Sequence, residues 1–311
     1  MNAPGTVPLI AGEEVRKNFR NSIILILIVV ALIFGVSWLI GDLLDDVETG
    51  LIIGLIVVVI VLPIQFLTAK WAILGMTRGR AADPDDLRER RAIHIAEGLA
   101  VSAGLSRVPD LYIIPTSVPN AFASGMSEKD AFIGVTQGLL DMMDDQELEG
   151  VIAHEFAHII HRDIMLDQLV VALISALIIL AFILERIGLA NLFGGRRRGR
   201  DSGTAAFVIV VVLLALLVRP LASLIGSLLQ MAISREREYA ADAAAVRLCS
   251  YNEGLARALE KLGGKETYSR EEADSLGGKN LSAMYIDFPG EGLFSTHPPI
   301  AKRVARLRSM Y

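Results

Sequence analysis

The chain has 311 residues, a net charge of −5, and a composition that is 53% hydrophobic, 6% aromatic and 21% charged, with a mean hydropathy of +0.49. That is too apolar for an ordinary soluble domain, and the Ile, Leu and Val excess sits in blocks, so the lipid bilayer is an expected partner. The acidic balance argues against nucleic acid, and Cys249, alone of its kind, excludes an intramolecular disulfide framework and reads as a small buried apolar residue.

Residues 1–20 form an N-terminal segment, and two apolar blocks follow: Ile23 to Ile40, and Leu51 to Leu67 with Pro63 and Gln65 near its end. A hydrocarbon core of about 30 Å takes about 20 helical residues, so residues 21–70 predict a transmembrane hairpin. The first block exceeds a signal-peptide core of about 7–15 residues, and no small-residue cleavage site follows it. Arg16, Lys17 and Arg20 precede the hairpin; Lys70, Arg78, Arg80, Arg88, Arg90 and Arg91 follow it. The loop between carries Asp42, Asp45, Asp46 and Glu48 with no Lys or Arg. The positive-inside bias therefore places both ends in the cytoplasm.

Residues 71–164 predict the first part of a water-facing domain. Asp83-Pro84 reads as a helix N-cap with proline at the first helical position. Leu87, Ile93, Ala96, Leu99, Ala100 and Ala103 then recur at helical spacing. Leu111 to Ile114, Asn120 to Ala123 and Ala131 to Thr136 read as strands, the last two around a turn from Gly125 to Asp130. A helix starts at Asp144, with Glu147 placed for a capping box.

On that helix stands His154-Glu155-Phe156-Ala157-His158. Residues four apart differ by about 40° around a helix axis, so both imidazoles project from one face. Two ring nitrogens can then meet one metal ion at about 2.0–2.1 Å. Glu155, about a third of a turn round, reaches a water on that ion without ligating it. The bland alternative is a surface helix that happens to hold these three residues. His161 competes as a further ligand, since it returns close to the His154 direction, but it lies about 10 Å along the axis, too far for one ion on a straight helix. It reads as an interface or capping residue, as does His94.

Residues 165–218 predict a second hydrophobic hairpin, Leu169 to Leu184 and Ala205 to Val218, joined by a loop with Arg196, Arg197, Arg198 and Arg200. Full spanning would put that basic loop outside, against the positive-inside bias, so a hairpin lying partly in the interface stays open. Residues 219–311 predict the second part of the catalytic domain. In Ser234 to Asp242, Glu238 and Asp242 are four apart on a predicted helix. By itself the run from Arg235 to Glu238 reads as a solvated charged face. Beside a zinc motif, Glu238 becomes the candidate third ligand and Asp242 the acceptor for the free N–H of a zinc-bound imidazole. The stretch from Gly263 to Lys279 reads as a mobile loop. His297 precedes a basic amphipathic helix with Ile300, Val304 and Leu307 inside and Lys302, Arg303, Arg306 and Arg308 outside.

Together these segments resemble the HtpX-like membrane metallopeptidases, relatives of the CAAX prenyl proteases, over nearly the whole chain. The resemblance rests on the early hairpin, Pro119 to Ala123, His154 to Asp163, Ser234 to Asp242 and Thr296 to Pro299, in family order. It implies His154, His158 and Glu238 as ligands of one Zn2+ per chain, Glu155 as general base and Asp242 as partner of a ligand imidazole. His297 matches a family histidine that stabilises the oxyanion or occupies the open position on zinc. Asn120, Ala121, Phe122 and Ala123, continuing to Ser124, match the edge strand that binds substrate backbone. The expected fold is an integral-membrane, mainly α protein with a small β-sheet (α+β): four hydrophobic helices plus a cytoplasmic zincin-type, gluzincin-like domain. The expected function is zinc-dependent endoproteolysis of membrane or misfolded proteins at the cytoplasmic face of the cell membrane, a quality-control role under stress. A CAAX-type prenyl-protein protease and a non-catalytic zinc-binding scaffold are the alternatives.

Overall fold

The computed structural model describes residues 9–43, 45–169, 236–264 and 298–310, with scattered helical positions between 171 and 186. The Arg196 to Arg200 loop, most of the 165–218 hairpin, the loop from Lys265 onward and His297 lie outside the described residues. The described residues fall into two compact units. One gathers those up to Ser22, from Thr68 to Gln168 and from Gln230 onward; the other holds Ile23–Leu67 and those described between Leu169 and Leu229.

The apolar unit is built on helices α1 (Leu9–Leu43) and α2 (Val47–Ile56), a π-helical turn (Val57–Val61) and the start of α3 (Leu62–Thr77). Asn18–Leu39 and Val47–Thr77 are long and apolar enough to cross a membrane. Leu27, Ile28, Leu55, Val59 and Ile60 are exposed, where the core helix of a soluble protein would bury them. The two helices touch through small residues spaced four apart, Ser37 and Gly41 against Gly50 and Gly54. A Cβ on Gly50 would stand 2.4 Å from the Ser37 carbonyl oxygen, so only glycine permits this approach. The π turn sits just ahead of Pro63: the Leu62 N–H bonds the Val57 carbonyl, a wider loop that accommodates the missing proline donor.

The second unit continues through β1 (Arg80–Ala81), α4 (Leu87–Ala103), β2 (Asp110–Ile114), β3 (Ala121–Ser124), β4 (Phe132–Thr136), α5 (Gln137–Met142) and α6 (Asp145–His161). Helical residues 163–169 and 236–249 follow, then α7 (Glu253–Gly263) and α8 (Ile300–Arg308). Helix α4 begins at Leu87, later than the sequence suggested. Asp86 is its N-cap, accepting from the Arg88 and Glu89 N–H groups, while Pro84 lies in the preceding turn.

The sheet order is β1-β2-β4-β3, with β2 and β4 parallel and both other pairs antiparallel, so β3 is an edge. Alternation along the strands gives two buried faces. Ile113, Ile133, Val135, Ala121 and Ala123 pack with α4 and α6 in the main core. Tyr112, Ile114, Phe122 and Phe132 form the opposite face with Ile73, Leu74 and Val118. Phe122 crosses Phe132 edge-on at 6.1 Å and lies over Gly134. The small side chains of β3 thus face α6 and its large one faces away.

Candidate metal centre

Helix α6 carries the centre, and its ends are fixed locally. At its start, Asp144 Oδ1 accepts the Glu147 N–H at 2.9 Å and Glu147 Oε2 accepts the Asp144 N–H at 2.8 Å, the capping box expected from sequence. At its end Arg162 adopts a left-handed conformation (φ 60°), which turns the chain so that Asp163 faces back towards the helix.

His154 and His158 project from one face with their Nε2 atoms 3.2 Å apart. Glu238 arrives from the 236–249 helical run, with Oε2 3.4 Å from His154 Nε2 and Oε1 3.5 Å from His158 Nε2. A tetrahedral zinc with bonds of about 2.0–2.1 Å has ligand-to-ligand edges of about 3.3–3.4 Å, so these spacings match three corners of such a site. Among the described residues this is the group that gathers three such donors, and His161 is not in it. His161 is buried at the end of α6, where burial lowers its pKa, and its carbonyl accepts from Asn18. His94 is exposed and pairs with Glu97.

Each imidazole is held from behind. His154 Nδ1 lies 3.1 Å from Asp242 Oδ1, and His158 Nδ1 lies 2.9 Å from Asp163 Oδ2. With both Nδ1 atoms donating to carboxylates, both Nε2 lone pairs point at the same spot as a buried carboxylate. Around that spot four buried carboxylates (Glu155, Asp163, Glu238 and Asp242) face two guanidinium groups, Arg237 and Arg303. Carboxylates outnumber guanidinium groups around that spot, an excess of negative charge that a divalent cation complements. The residues present therefore fit zinc.

The electrostatics agree in sign. Burial alone would lower the His154 pKa, but the Asp242 and Glu238 carboxylates outweigh it and raise it. Burial opposes ionisation of Asp242 and Asp163, yet Arg303 with His154 in one case, and His158 with Arg237 in the other, hold both below the ordinary carboxylate range. Glu155 is different: burial lifts its carboxyl, and the neighbouring imidazoles only partly oppose this. The nearby backbone of Ala123 on β3 opposes it a little further.

That contact places the edge strand beside the centre. The Asn120 carbonyl accepts the Thr136 N–H at 3.0 Å, and the Asn120 N–H donates to Thr136 Oγ1 at 2.8 Å, so its backbone faces β4. By the alternation of an antiparallel ladder, the backbone groups of Ala121 and Ala123 point off the sheet. The side chains of Asn120, Ala121 and Phe122 are buried.

Three contributors were not read from the sequence. Arg303, assigned to the outer face of its helix, is fully buried, with Nη2 2.7 Å from Asp242 Oδ1 and Nη1 3.3 Å from Glu238 Oε2. Arg237 is likewise not on a solvated face but bonds Asp167 at 2.9 Å, beside Glu238, which is buried as the ligand reading expects. Asp163 follows the last turn of α6, beyond reach of a helical-spacing argument. The one available signal for Arg303 was position, since it lies three residues after Ile300 and four before Leu307, on the inward stripe.

Residues 86–311 match peptidase family M48. Proteins named "Protease HtpX homolog" align along nearly the full length. That of Streptococcus uberis is 38% identical over 304 residues, covering 96% of this chain and 99% of the relative. That of Dictyoglomus thermophilum is 34% identical over 307 residues, covering 97% and 96%. The crystal structure of S. mikatae Ste24p is 18% identical with a TM-score of 0.48, covering 95% of this chain and 66% of that one.

Proposed function

The chain belongs to peptidase family M48 and is a metalloprotease; on that premise we propose that it is a membrane-anchored zinc endopeptidase that degrades misfolded or membrane proteins at the cytoplasmic surface. His154, His158 and Glu238 hold one Zn2+, and the observation that carries the reading is their convergence with both Nδ1 atoms already engaged. When bound, zinc supplies Lewis acidity to the scissile carbonyl and to the attacking water.

The chain's own groups do the rest. Glu155, whose carboxylate burial makes more basic than a solvated one, takes the proton of the attacking water and passes it to the leaving amine. Asp242 and Asp163 keep both imidazoles in one tautomer and orientation. His297, six positions before Arg303, donates a hydrogen bond to the oxyanion, a type of contact worth about 2.7–4 kcal/mol in other proteases. Substrate adds as a strand along Asn120 to Ser124, where the outward backbone of β3 meets Glu155; backbone pairing gives affinity with little sequence preference, as quality control requires. The domain boundaries follow the sequence reading: a cytoplasmic segment 1–20, a transmembrane hairpin 21–70, catalytic parts 71–164 and 219–311, and a second hydrophobic hairpin 165–218. The charge bias across the first hairpin supports a multi-pass protein with its site in the cytoplasm.

The test is cleavage by the purified full chain of an unfolded polypeptide and of a farnesylated peptide ending in a CAAX sequence. Wild type should cleave the unfolded polypeptide, and Glu155→Gln should retain zinc but not cleave. A Glu155→Gln protein as active as wild type would leave only a zinc scaffold, and cleavage confined to the prenylated peptide would move the substrate to the CAAX class.

A further inference from the structure

We propose that Asn18, the first residue of the candidate span Asn18–Leu39, is a positioning residue for the metal ligand His158, acting through Asp163. The inference rests on the reading of His154, His158 and Glu238 as ligands. Asn18 is buried, and its side-chain amide uses both protons: Nδ2 donates to the His161 carbonyl at 2.9 Å and to Asp163 Oδ1 at 2.7 Å. The first bond satisfies a carbonyl at the end of α6, where no helical donor remains. The second reaches the carboxylate whose other oxygen holds His158 Nδ1 at 2.9 Å.

Asp163 is buried, and its bond to His158 through Oδ2 alone leaves the carboxylate able to twist about Cβ–Cγ unless Oδ1 is held as well. Arg237 is the other cation near it, but its Nη1 stands 3.7 Å from Oδ1, donates to the Asp163 carbonyl at 3.4 Å, and its shorter bond goes to Asp167. The short hydrogen bond to Oδ1 comes from Asn18. A helix cap alone accounts for the His161 contact and leaves the shorter Asp163 contact without a role. With both, the amide clamps the last turn of the metal helix and the carboxylate behind His158 in one fixed relation, so that Nε2 stays aimed at Glu238 and His154. The ion's environment then depends on a residue far away in sequence, at the foot of the first apolar helix.

The test uses full-chain protein in detergent and Co2+ as the probe, with affinity from chelator competition and geometry from the visible spectrum of bound cobalt. Asn18→Ala should weaken Co2+ binding by about 10–100-fold, the range for partners of metal-bound histidines, and alter the spectrum. It should add nothing further in an Asp163→Ala background. Ser37→Ala, on the same helix but in the apolar unit, should match wild type. Where Asn18→Ala fails to accumulate, Asn18→Ser, too short to span both acceptors, makes the same comparison. Unchanged affinity and spectrum in the Asn18 variant, or losses that add with those of Asp163→Ala, would overturn the proposal. Wild type that takes up no cobalt would sink the metal-ligand reading itself, whereas cobalt-loaded wild type indistinguishable from Asn18→Ala would sink the Asn18 role alone.

Discussion

Arg303 and Asp242 meet in a two-point ion pair: Nη2 lies 2.7 Å from Oδ1 and Nε 3.0 Å from Oδ2, and the guanidinium has no exposed surface. The same carboxylate faces His154 Nδ1, so one residue of α8 neutralises the group that orients a metal-facing imidazole. Removing one partner of such a buried pair leaves the other charge uncompensated. Arg303→Met should therefore destabilise the protein by about 3–5 kcal/mol in chemical denaturation, and Arg303→Lys, which keeps the charge but loses the fork, by less.

The donor geometry ranks three substitutions. Glu238→Ala removes a donor and should reduce metal content per chain more than Asp163→Asn or Asp242→Asn, each of which should weaken binding by about 10–100-fold. Elemental analysis of the purified variants makes the comparison. Wild-type metal content in Glu238→Ala would exclude it as a ligand and return His161 to the list of donors.

Metal binding should weaken as the solution is acidified. His154 must be neutral to bind a cation, yet Asp242 and Glu238 raise its pKa above the ordinary 6.5, so in metal-free protein at neutral pH the ion displaces a proton. The His158 pKa is raised as well, so apparent affinity should fall by about tenfold or more per pH unit below neutrality, with calorimetry in two buffers showing proton release. Without metal the sign reverses: protonated His154 contributes stability fully present below pH 6.5 and lost as pH rises through the elevated folded value.

Burial pushes the Cys249 thiol up to about 12, with Glu149 adding to the effect. Little thiolate exists at pH 8, so iodoacetamide should label native protein about a thousandfold more slowly than urea-unfolded protein. Equal rates would show that the thiol is open to solvent.

Gly50 lets α2 approach the Ser37 backbone. Gly50→Leu should part the helices, cost about 1–3 kcal/mol and lower the thermal midpoint in detergent. Gly35→Leu, where nothing stands within 4 Å of a Cβ, should not.

What the sequence disclosed followed local rules. The capping box at Asp144, the two imidazoles one turn apart and the Glu238–Asp242 spacing all express helical periodicity, and the structure brings those groups together. The strand boundaries came from alternation and turn residues. The N-cap of α4 fell to Asp86 because its carboxylate reaches two N–H groups that Asp83 does not cap. Arg303 departs from the outward face that its charge suggests because the buried carboxylates of Asp242 and Glu238 hold it inward. Asn18 and Asp163 join across sequence separations that carry no local periodic signal.

On β3, only the methyl groups of Ala121 and Ala123 stand on the face turned to the helix that bears both imidazoles. Those two methyls act as a spacer of minimum thickness, setting the gauge between the edge strand and α6. An added methylene at the fully buried Ala121 would press strand and helix apart, so the distance between them is written in the smallest side chains that separate them.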